Sequence, residues 1–270
     1  MQTSNDLSKY ELQKLRACPT RSMCPFRDIC AASSESSGRL IYPMVVNAQR
    51  GDLFWGTRFS ESRALVFKSG VFLSAGYSNQ GGEVPFCLYG PGNSVGFTDM
   101  FTAEAIRSSY YVRTLLNGEV CSFSADVVAK ELERFSHDYV QDLAISTLMS
   151  QCAGAFSISM IRHQKSVSDK VVAFLYCLND LTSRIGTSQT EFKITHEDIA
   201  AIVGANRATT TRVLNNLVTS NLVEMEYGIV KLLPEGLNNP SKKEEYHTNL
   251  ILPKSHGALG EALSGEYVFR

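Results

Sequence analysis

The spacing of apolar residues changes along the chain and separates a β-rich part from a helical part. Between about residues 39 and 123, short apolar runs alternate with glycine-containing turns, for example at 65–70. Many short runs at this spacing predict β-strands that close into a small barrel or jelly roll. Asn117–Gly118 follows another run at 110–116 and is a strong two-residue hairpin signal, so we expect residues 119–123 to pair back on that run.

A helical period begins after the strands and is longest over residues 137–162. Two neighbouring apolar stripes run along this predicted helix, each repeating every three to four residues. The first stripe contains Ile145, Leu148, Cys152 and Ala155, and the second contains Met149, Ala153, Phe156 and Met160. Such a helix can pack on its own domain with one stripe and on a partner with the other, so we expect a dimerisation helix. The alternative is a helix buried within one subunit.

Residues 194–217 predict two short helices joined by a tight turn. Thr195 can cap the first helix, and Asp198 adds a carboxylate to its first turn, where the helix dipole favours negative charge. Gly204 ends that helix, because glycine adopts left-handed backbone geometry at little cost. The small contact residue, turn glycine and apolar anchor of a helix-turn-helix would be Ala200, Gly204 and Val213.

The second helix of this pair carries the side chains that we expect to meet DNA. Asn206 is placed to cap it. The predicted DNA-binding residues are Asn206, Arg207, Thr209, Thr211 and Arg212. Arginine can bind guanine O6 and N7 with two hydrogen bonds, and threonine hydroxyls reach phosphates or base edges. A hairpin pattern with its turn at Tyr227–Gly228 follows and predicts a β-wing. The alternative is an ordinary helical hairpin with a solvated face.

These patterns divide the chain into five parts. The expected parts are a cysteine-containing N-terminal arm (1–38), a sensory β-barrel domain (39–135), a dimerisation helix (136–163), a winged helix-turn-helix DNA-binding domain (164–234) and a C-terminal extension (235–270). A length of 270 residues is enough for two domains with real cores.

Composition limits the function classes and the compartment. The formal net charge of -1 excludes a strongly basic DNA-binding protein, so any positive surface must be local. The N-terminal sequence lacks the apolar core of a signal peptide, and no apolar run approaches the about 20 residues that span a bilayer. We therefore expect a cytoplasmic protein without a membrane partner.

The cysteines indicate metal or redox chemistry. Seven cysteines, an odd number, in a cytosolic chain argue against a framework of structural disulfides. Cys18, Cys24 and Cys30 could not converge from one helix, since residues six apart on a helix point about 120° apart. Cys18 and Cys24 each precede a proline, which favours a loop. Thiolates on a loop suit an iron–sulfur cluster or zinc. We expect Cys87, Cys152 and Cys177 to be small buried apolar residues.

A β domain, a long helix and a C-terminal winged helix-turn-helix, in that order, resemble the CRP/FNR family of bacterial transcription regulators. The most specific segment is ITHEDIAAIVGANRATTTRVLNNL, in which Arg207 and Arg212 match the family's recognition arginines. The resemblance implies an α+β fold with a cyclic-nucleotide-binding-like jelly-roll barrel. It further implies a homodimer on a palindromic operator in double-stranded DNA, contact with RNA polymerase and no enzymatic activity. Ala208 departs from the family's usual glutamate, which accepts a hydrogen bond from cytosine N4.

The cysteines resemble those of the FNR-like, oxygen-sensing branch. Its members hold a 4Fe–4S cluster with an N-terminal cysteine group and one distant cysteine on a barrel strand. The resemblance implies Cys18, Cys24, Cys30 and Cys121 as ligands, with the departure that Cys18 stands further from Cys24 than the family spacing. Loss of the cluster to oxygen or nitric oxide would weaken the dimer and release DNA.

Several alternatives remain open from the sequence. Arg107-Ser108-Ser109 resembles half of the family's cyclic-nucleotide cassette, but Gly96-Phe97-Thr98-Asp99 lacks the glutamate of the other half. A thiol–disulfide switch, a small ligand in the barrel, or a degenerate sensor without an effector would also fit a regulator. A cupin-like metal-binding protein is an alternative from a different class. A cupin would place its metal ligands in the β region, and none of the five histidines lies there.

Overall fold

The computed structural model describes residues 18–30, 41, 43–55, 63–97, 110–186 and 190–233. The strands in these ranges are β1 (Met44–Ala48), β2 (Leu53–Trp55), β3 (Arg63–Phe67), β4 (Val71–Tyr77), β5 (Glu83–Tyr89), β6 (Ser94–Val95), β7 (Tyr111–Leu116), β8 (Gly118–Ser124), β9 (Glu191–Lys193), β10 (Val223–Glu226) and β11 (Ile229–Leu232). The helices are α1 (Ala125–Leu132), α2 (His137–Arg162), α3 (Val167–Ser183), α4 (His196–Val203) and α5 (Arg207–Thr219).

The first eight strands form two facing antiparallel sheets. Their strand orders are β1-β8-β3-β6 and β2-β7-β4-β5. Aromatic rings fill the space between the sheets, with Phe67 stacked on Phe72 at 4.2 Å and on Tyr89 at 5.3 Å between ring centroids. A third small sheet, β10-β11-β9, belongs to the C-terminal part. The predicted fold class, a jelly-roll barrel followed by a long helix and a winged helix-turn-helix, is confirmed.

The predicted hairpin at Asn117–Gly118 is wrong. β7 pairs with β2 and β4, whereas β8 pairs with β1 and β3, so the two strands lie in opposite sheets. Glycine is needed at position 118 for a different reason: the backbone lies so close to Ser69 that a Cβ would overlap the Ser69 carbonyl. The Asn117 side chain accepts a hydrogen bond from the Arg50 backbone N–H at 2.7 Å. The dipeptide therefore forms a corner between the sheets and holds the β1–β2 connection.

Helix α2 presents one face to its own domain and leaves an apolar face exposed. The inward face contains Leu143, Thr147, Gly154, Ser157, Ile158 and Ile161. The exposed face contains Ile145, Leu148, Met149, Cys152, Ala155 and Phe156, which come from both predicted stripes. The expectation that one predicted stripe packs on the barrel is therefore wrong, as is the expectation that Cys152 is buried. Small and hydroxyl residues on the inward face allow the close approach to the barrel. They interrupt the pattern of large apolar side chains that would indicate this face in the sequence.

We expect Gly154→Ala to destabilise the protein, although alanine is the better helix former by about 1 kcal/mol. A Cβ at this position would overlap the Leu88 carbonyl oxygen and lie 2.5 Å from Cys87 Sγ. Both neighbours belong to β5, so α2 must move away from the sheet. Overpacking of this kind costs about 1–3 kcal/mol. Urea denaturation should show the lower free energy of unfolding, while Ser159→Ala on the exposed face of α2 should leave it nearly unchanged.

The same helix is apolar enough to resemble a membrane span. Within the described ranges, α2 is long and apolar enough to cross a bilayer by length and composition, although polar residues interrupt its apolar runs. Its inward face packs closely on β5. The helix has a high apolar content because its opposite, exposed face is apolar as well. Such a helix suits packing between protein surfaces.

Residues 18–30 form a series of turns that dock against the barrel. Phe26 is fully buried and lies edge-to-face against Phe97 and Phe123, at 5.5 and 5.2 Å between ring centroids. This segment and the start of α2 share one apolar cluster that includes Leu143. The Tyr139 hydroxyl donates a hydrogen bond to Asp28 Oδ2 at 3.1 Å. The cysteine segment is thus joined to the barrel and to α2.

Candidate nucleic-acid interface and cysteine cluster

The four cysteines predicted as ligands are neighbours in the folded chain. Cys121 lies on β8, between Val45 of β1 and Val66 of β3. Cys24 and Cys121 border the apolar cluster around Phe26, and Cys30 is buried within it. Docking of Phe26 therefore carries the N-terminal cysteines to the strand that bears Cys121.

Burial and neighbouring negative charge raise the pKa of Cys24 and of Cys121. Burial raises the pKa of Cys121 to about 12, and negative charge on Cys18 and Cys30 would raise it further. Burial likewise raises the pKa of Cys24 well above its ordinary value, opposed by a hydrogen bond from Phe26 and reinforced by Cys30, Cys121 and Cys18. A bound cation would remove this repulsion, and thiolates are donors that zinc and iron–sulfur clusters accept. In the ranges that the structure describes, no three such side chains already surround one metal position.

Lys68 is a residue near this cluster that the sequence did not single out. Its ammonium is 2.9 Å from Glu119 Oε2. Proximity of its charge acts to lower the pKa of Cys121 against the larger effect of burial. Lys68 is therefore placed to offset negative charge on the sulfurs, and no local pattern in the sequence signals this role.

The other cysteines and the nucleotide cassette have separate positions. Cys87 and Cys177 are buried, as expected, and burial raises the pKa of each to about 12. Cys152 is exposed on α2. The Arg107-Ser108-Ser109 segment lies outside the described residues, as do Thr98 and Asp99.

The first helix of the helix-turn-helix begins and ends as its sequence predicts. Thr195 Oγ1 accepts a hydrogen bond from the Asp198 backbone N–H at 3.1 Å, and the Asp198 carboxylate accepts one from the Thr195 backbone N–H. Gly204 follows α4 in the left-handed conformation, with φ 70°. Ala200 is buried, and Val213 packs against the apolar core that includes Ile199 and Val203, so both lie where the motif requires apolar contacts.

The five predicted DNA-binding residues have different local roles at the start of α5. Asn206 caps the helix, since its Oδ1 accepts a hydrogen bond from the Thr209 N–H at 2.7 Å. Thr211 Oγ1 pairs with His196 Nδ1 at 2.9 Å, which ties α5 to α4. Thr209 is half-buried, whereas Arg207 and Arg212 are exposed. The two arginines are therefore the members most available to a ligand.

Arg207 and Arg212 flank an exposed face that also carries two uncharged residues. At about 100° per residue, the arginines point about 140° apart, with Ala208 and Asn215 between them. Both of these residues are exposed. Asn215 is absent from the predicted DNA-binding residues, which all lie within 206–212, because it lies two turns after the start of α5. Its amide could donate to and accept from base edges, and asparagine suits adenine.

The predicted β-wing is present, and a third strand supports it. β10 and β11 pair antiparallel, and β9 pairs with the other edge of β11. Tyr227 and Gly228 at the tip have φ of 44° and 80°, the two left-handed positions of a type I′ turn. Tyr227 is 95% exposed. β9 has only three residues, which is too short for its period to be visible in the sequence.

The sequence of this C-terminal part matches a known domain family. Residues 169–239 match the Crp-like helix-turn-helix domain. Residues 169–239 are therefore assigned to a Crp-like helix-turn-helix domain. A comparison of the sequence with curated proteins gives no match. Within the matched residues, α5 is the second helix of the helix-turn-helix and the β10–β11 hairpin follows it.

Solved structures share the fold over most of the chain at low sequence identity. A CRP-family transcriptional regulator from Thermus thermophilus is 15% identical, with a TM-score of 0.57 over 76% of this chain and 98% of that chain. FixK2 from Bradyrhizobium japonicum is 12% identical, with a TM-score of 0.56 over 73% and 96%. The c-di-GMP-responsive regulator CLP from Xanthomonas campestris is 16% identical, with a TM-score of 0.55 over 70% and 93%. The chain therefore contains a Crp-like helix-turn-helix domain and shares its overall fold with these structures.

Proposed function

We propose that the protein is a homodimeric transcription regulator that binds a palindromic site in double-stranded DNA through α5. The observation that carries this proposal is the exposed face of α5, where Arg207 and Arg212 extend from a capped helix in a Crp-like domain. Guanidinium groups there can form paired hydrogen bonds with guanine in the major groove. Contact with RNA polymerase would use another face of the same cytoplasmic dimer.

The proposed dimer forms along α2. Its exposed apolar face includes Met149 and Phe156, which are 54% and 55% exposed in the single chain. A face repeating every three to four residues suits a second copy of the same helix. Two-fold pairing of α2 would present two copies of α5 to half-sites about 34 Å apart, one turn of DNA.

The proposed sensor is a 4Fe–4S cluster held by Cys18, Cys24, Cys30 and Cys121. Clustering of four thiols supports this donor set, and such clusters are typically bound by four cysteines. When bound, the cluster would supply reactivity towards oxygen and nitric oxide. The chain's own contribution is the packing of residues 18–30 on both β8 and the start of α2, through Phe26 and Tyr139. Ordering of this arm is therefore coupled to the helix of the proposed dimer.

Selection from a random pool of duplex DNA tests the DNA-binding proposal. The protein, purified without oxygen, should enrich one sequence with two-fold symmetry, and analytical ultracentrifugation should show a dimer. Exposure to air should weaken binding if the cluster controls the dimer. Enrichment of no preferred sequence would contradict DNA-binding regulation. A preferred sequence bound equally well with and without iron would contradict only cluster control and would favour a different effector.

A further inference from the structure

Helix α4 is held at both ends by arginines that belong to the N-terminal half of the chain or to α2. At its N-terminal end, Arg113 of β7 lies 3.0 Å from Asp198 Oδ1, and Arg50 lies 2.9 Å from Asp198 Oδ2. At its C-terminal end, Arg162 of α2 donates to the carbonyls of Ala201 and Ile202, each at 3.0 Å. We name Arg50, Arg113 and Arg162 the α4 clamp.

The barrel fixes the direction in which Arg113 points. Its Nε and Nη2 donate to the two oxygens of Glu83, each at 2.9 Å, and the Tyr111 hydroxyl donates to Glu83 Oε2 at 2.6 Å. Burial acts to raise the pKa of Glu83, but the bonds from Arg113 and Tyr111 outweigh it and hold this pKa below its usual value. Glu83 is thus an anion at neutral pH. The remaining Nη1 of Arg113 is directed at the Crp-like domain.

Asp198 links this network to the recognition hairpin. The same carboxylate that binds the two arginines completes the capping of α4, accepting from the Thr195 hydroxyl at 2.6 Å. Its side chain is 11% exposed and that of Arg113 is 13% exposed. Ion pairs shielded from water in this way have defined geometry, and loss of one partner leaves an uncompensated charge. Strand β7 and the first turn of α4 are therefore joined through one carboxylate.

The contact at the other end comes from the proposed dimer helix. Arg162 is the last residue of α2, and burial lowers its pKa from the ordinary value while leaving it a cation at neutral pH. Backbone carbonyls at a helix C-terminus carry partial negative charge, which a guanidinium stabilises. Gly204 Cα lies in the same region, since a Cβ there would be 3.8 Å from Arg162 Nε. The end of α2 is thus joined directly to the last turn of α4, next to the turn that precedes α5.

An apolar interface accompanies the clamp but does not determine the angle between the parts. The barrel residues Leu73, Leu88 and Leu115 share one apolar core with the residues of α3, α4 and α5. Apolar burial has no directional preference. The hydrogen-bonded arginines supply the direction, and they leave the outer face of α5 exposed.

We propose that Arg50, Arg113 and Arg162 are positioning residues that fix the recognition hairpin relative to the barrel and α2, and thereby set the half-site spacing that the dimer accepts. This inference depends on the proposed DNA-binding function. The residues do not contact DNA themselves. Their effect appears in the difference between binding two correctly spaced half-sites and binding one.

The test compares three DNA duplexes, each containing the half-site found by selection. The first has two half-sites at the selected spacing, the second has one extra base pair between them, and the third has a single half-site. Arg113→Gln should lower the preference for the selected over the longer spacing by about tenfold, a typical coupling between sites. Affinity for the single half-site should change less than twofold. Arg134→Gln, an exposed arginine just after α1, should reproduce the wild type.

A second variant keeps the test valid if Arg113→Gln fails to fold. Arg50→Gln with Arg162→Gln leaves Asp198 paired with Arg113 and removes the other two clamp contacts. It should also lower the spacing preference, and Arg162→Lys should restore part of it. An unchanged spacing preference, or equal losses on all three duplexes, would overturn the inference while leaving DNA binding established. Absence of any selected sequence with the wild type would instead contradict the proposed function.

Discussion

Replacing both Arg207 and Arg212 by alanine should abolish sequence-specific DNA binding while leaving the fold intact. A well-made pair of hydrogen bonds to one base contributes about 1–3 kcal/mol of discrimination, and 1.4 kcal/mol corresponds to a factor of ten in affinity. Loss of two such contacts should therefore reduce affinity for the selected operator by about 10²-fold or more. Both side chains are exposed, so no core contact is lost. Fluorescence anisotropy with labelled operator measures the effect.

The controls separate recognition from charge and from folding. Arg134→Ala removes an exposed arginine just after α1, far along the chain from α5, and should leave operator affinity within about twofold. Thermal unfolding of the double variant should match the wild type within about 2 °C, as expected for surface changes. Undiminished affinity in the Arg207/Arg212 variant would refute the recognition role of α5. A lost preference together with a lowered melting temperature would point to misfolding.

The second large effect is expected at the cysteine cluster, where Cys121→Ser should remove bound iron and sulfide. Serine has nearly the same size as cysteine but is a hard oxygen donor, which iron–sulfur clusters seldom accept. Cys121 lies on a strand paired on both sides, so its backbone position is fixed by the sheet. Iron and sulfide analysis of protein purified without oxygen should fall from about four of each per chain to near zero.

Two matched variants decide whether the four named cysteines are the ligands. Cys152→Ser changes an exposed cysteine on α2, and Cys87→Ser changes a buried one on β5. Both should retain iron and visible absorption. Loss of the chromophore in Cys87→Ser with retention in Cys121→Ser would overturn the ligand set. One equivalent of zinc in colourless wild-type protein would contradict the cluster and would indicate a structural zinc site.

Features that depend on neighbouring residues were predictable from the sequence. Thr195, Gly204 and Asn206 end or begin helices because capping and left-handed geometry involve only the adjacent turn. The bounds of the long helix 137–162 were likewise predicted, since its period extends over many turns. These local rules are enough to indicate the helix-turn-helix and the side on which Arg207 and Arg212 lie.

Local rules failed where a distant segment changed the outcome. Asn117–Gly118 has the composition of a hairpin turn, yet β7 and β8 join different sheets, and Gly118 permits the close approach to Ser69. The inward face of α2 depends on Gly154, and small residues give no apolar signal. Asn215 and Lys68 acquire importance only from the surfaces that surround them.

The sequence by itself determined the order of strands and helices, the capped helix α5 and the presence of four candidate thiol ligands. Only the tertiary structure decided that Phe26 brings the N-terminal cysteines to Cys121, and that Arg50, Arg113 and Arg162 hold α4 at both ends. The reason is that caps and helical periods arise from interactions within a few residues. Contacts such as Arg50 with Asp198 join positions 148 residues apart, and their partners are selected by packing of the whole chain.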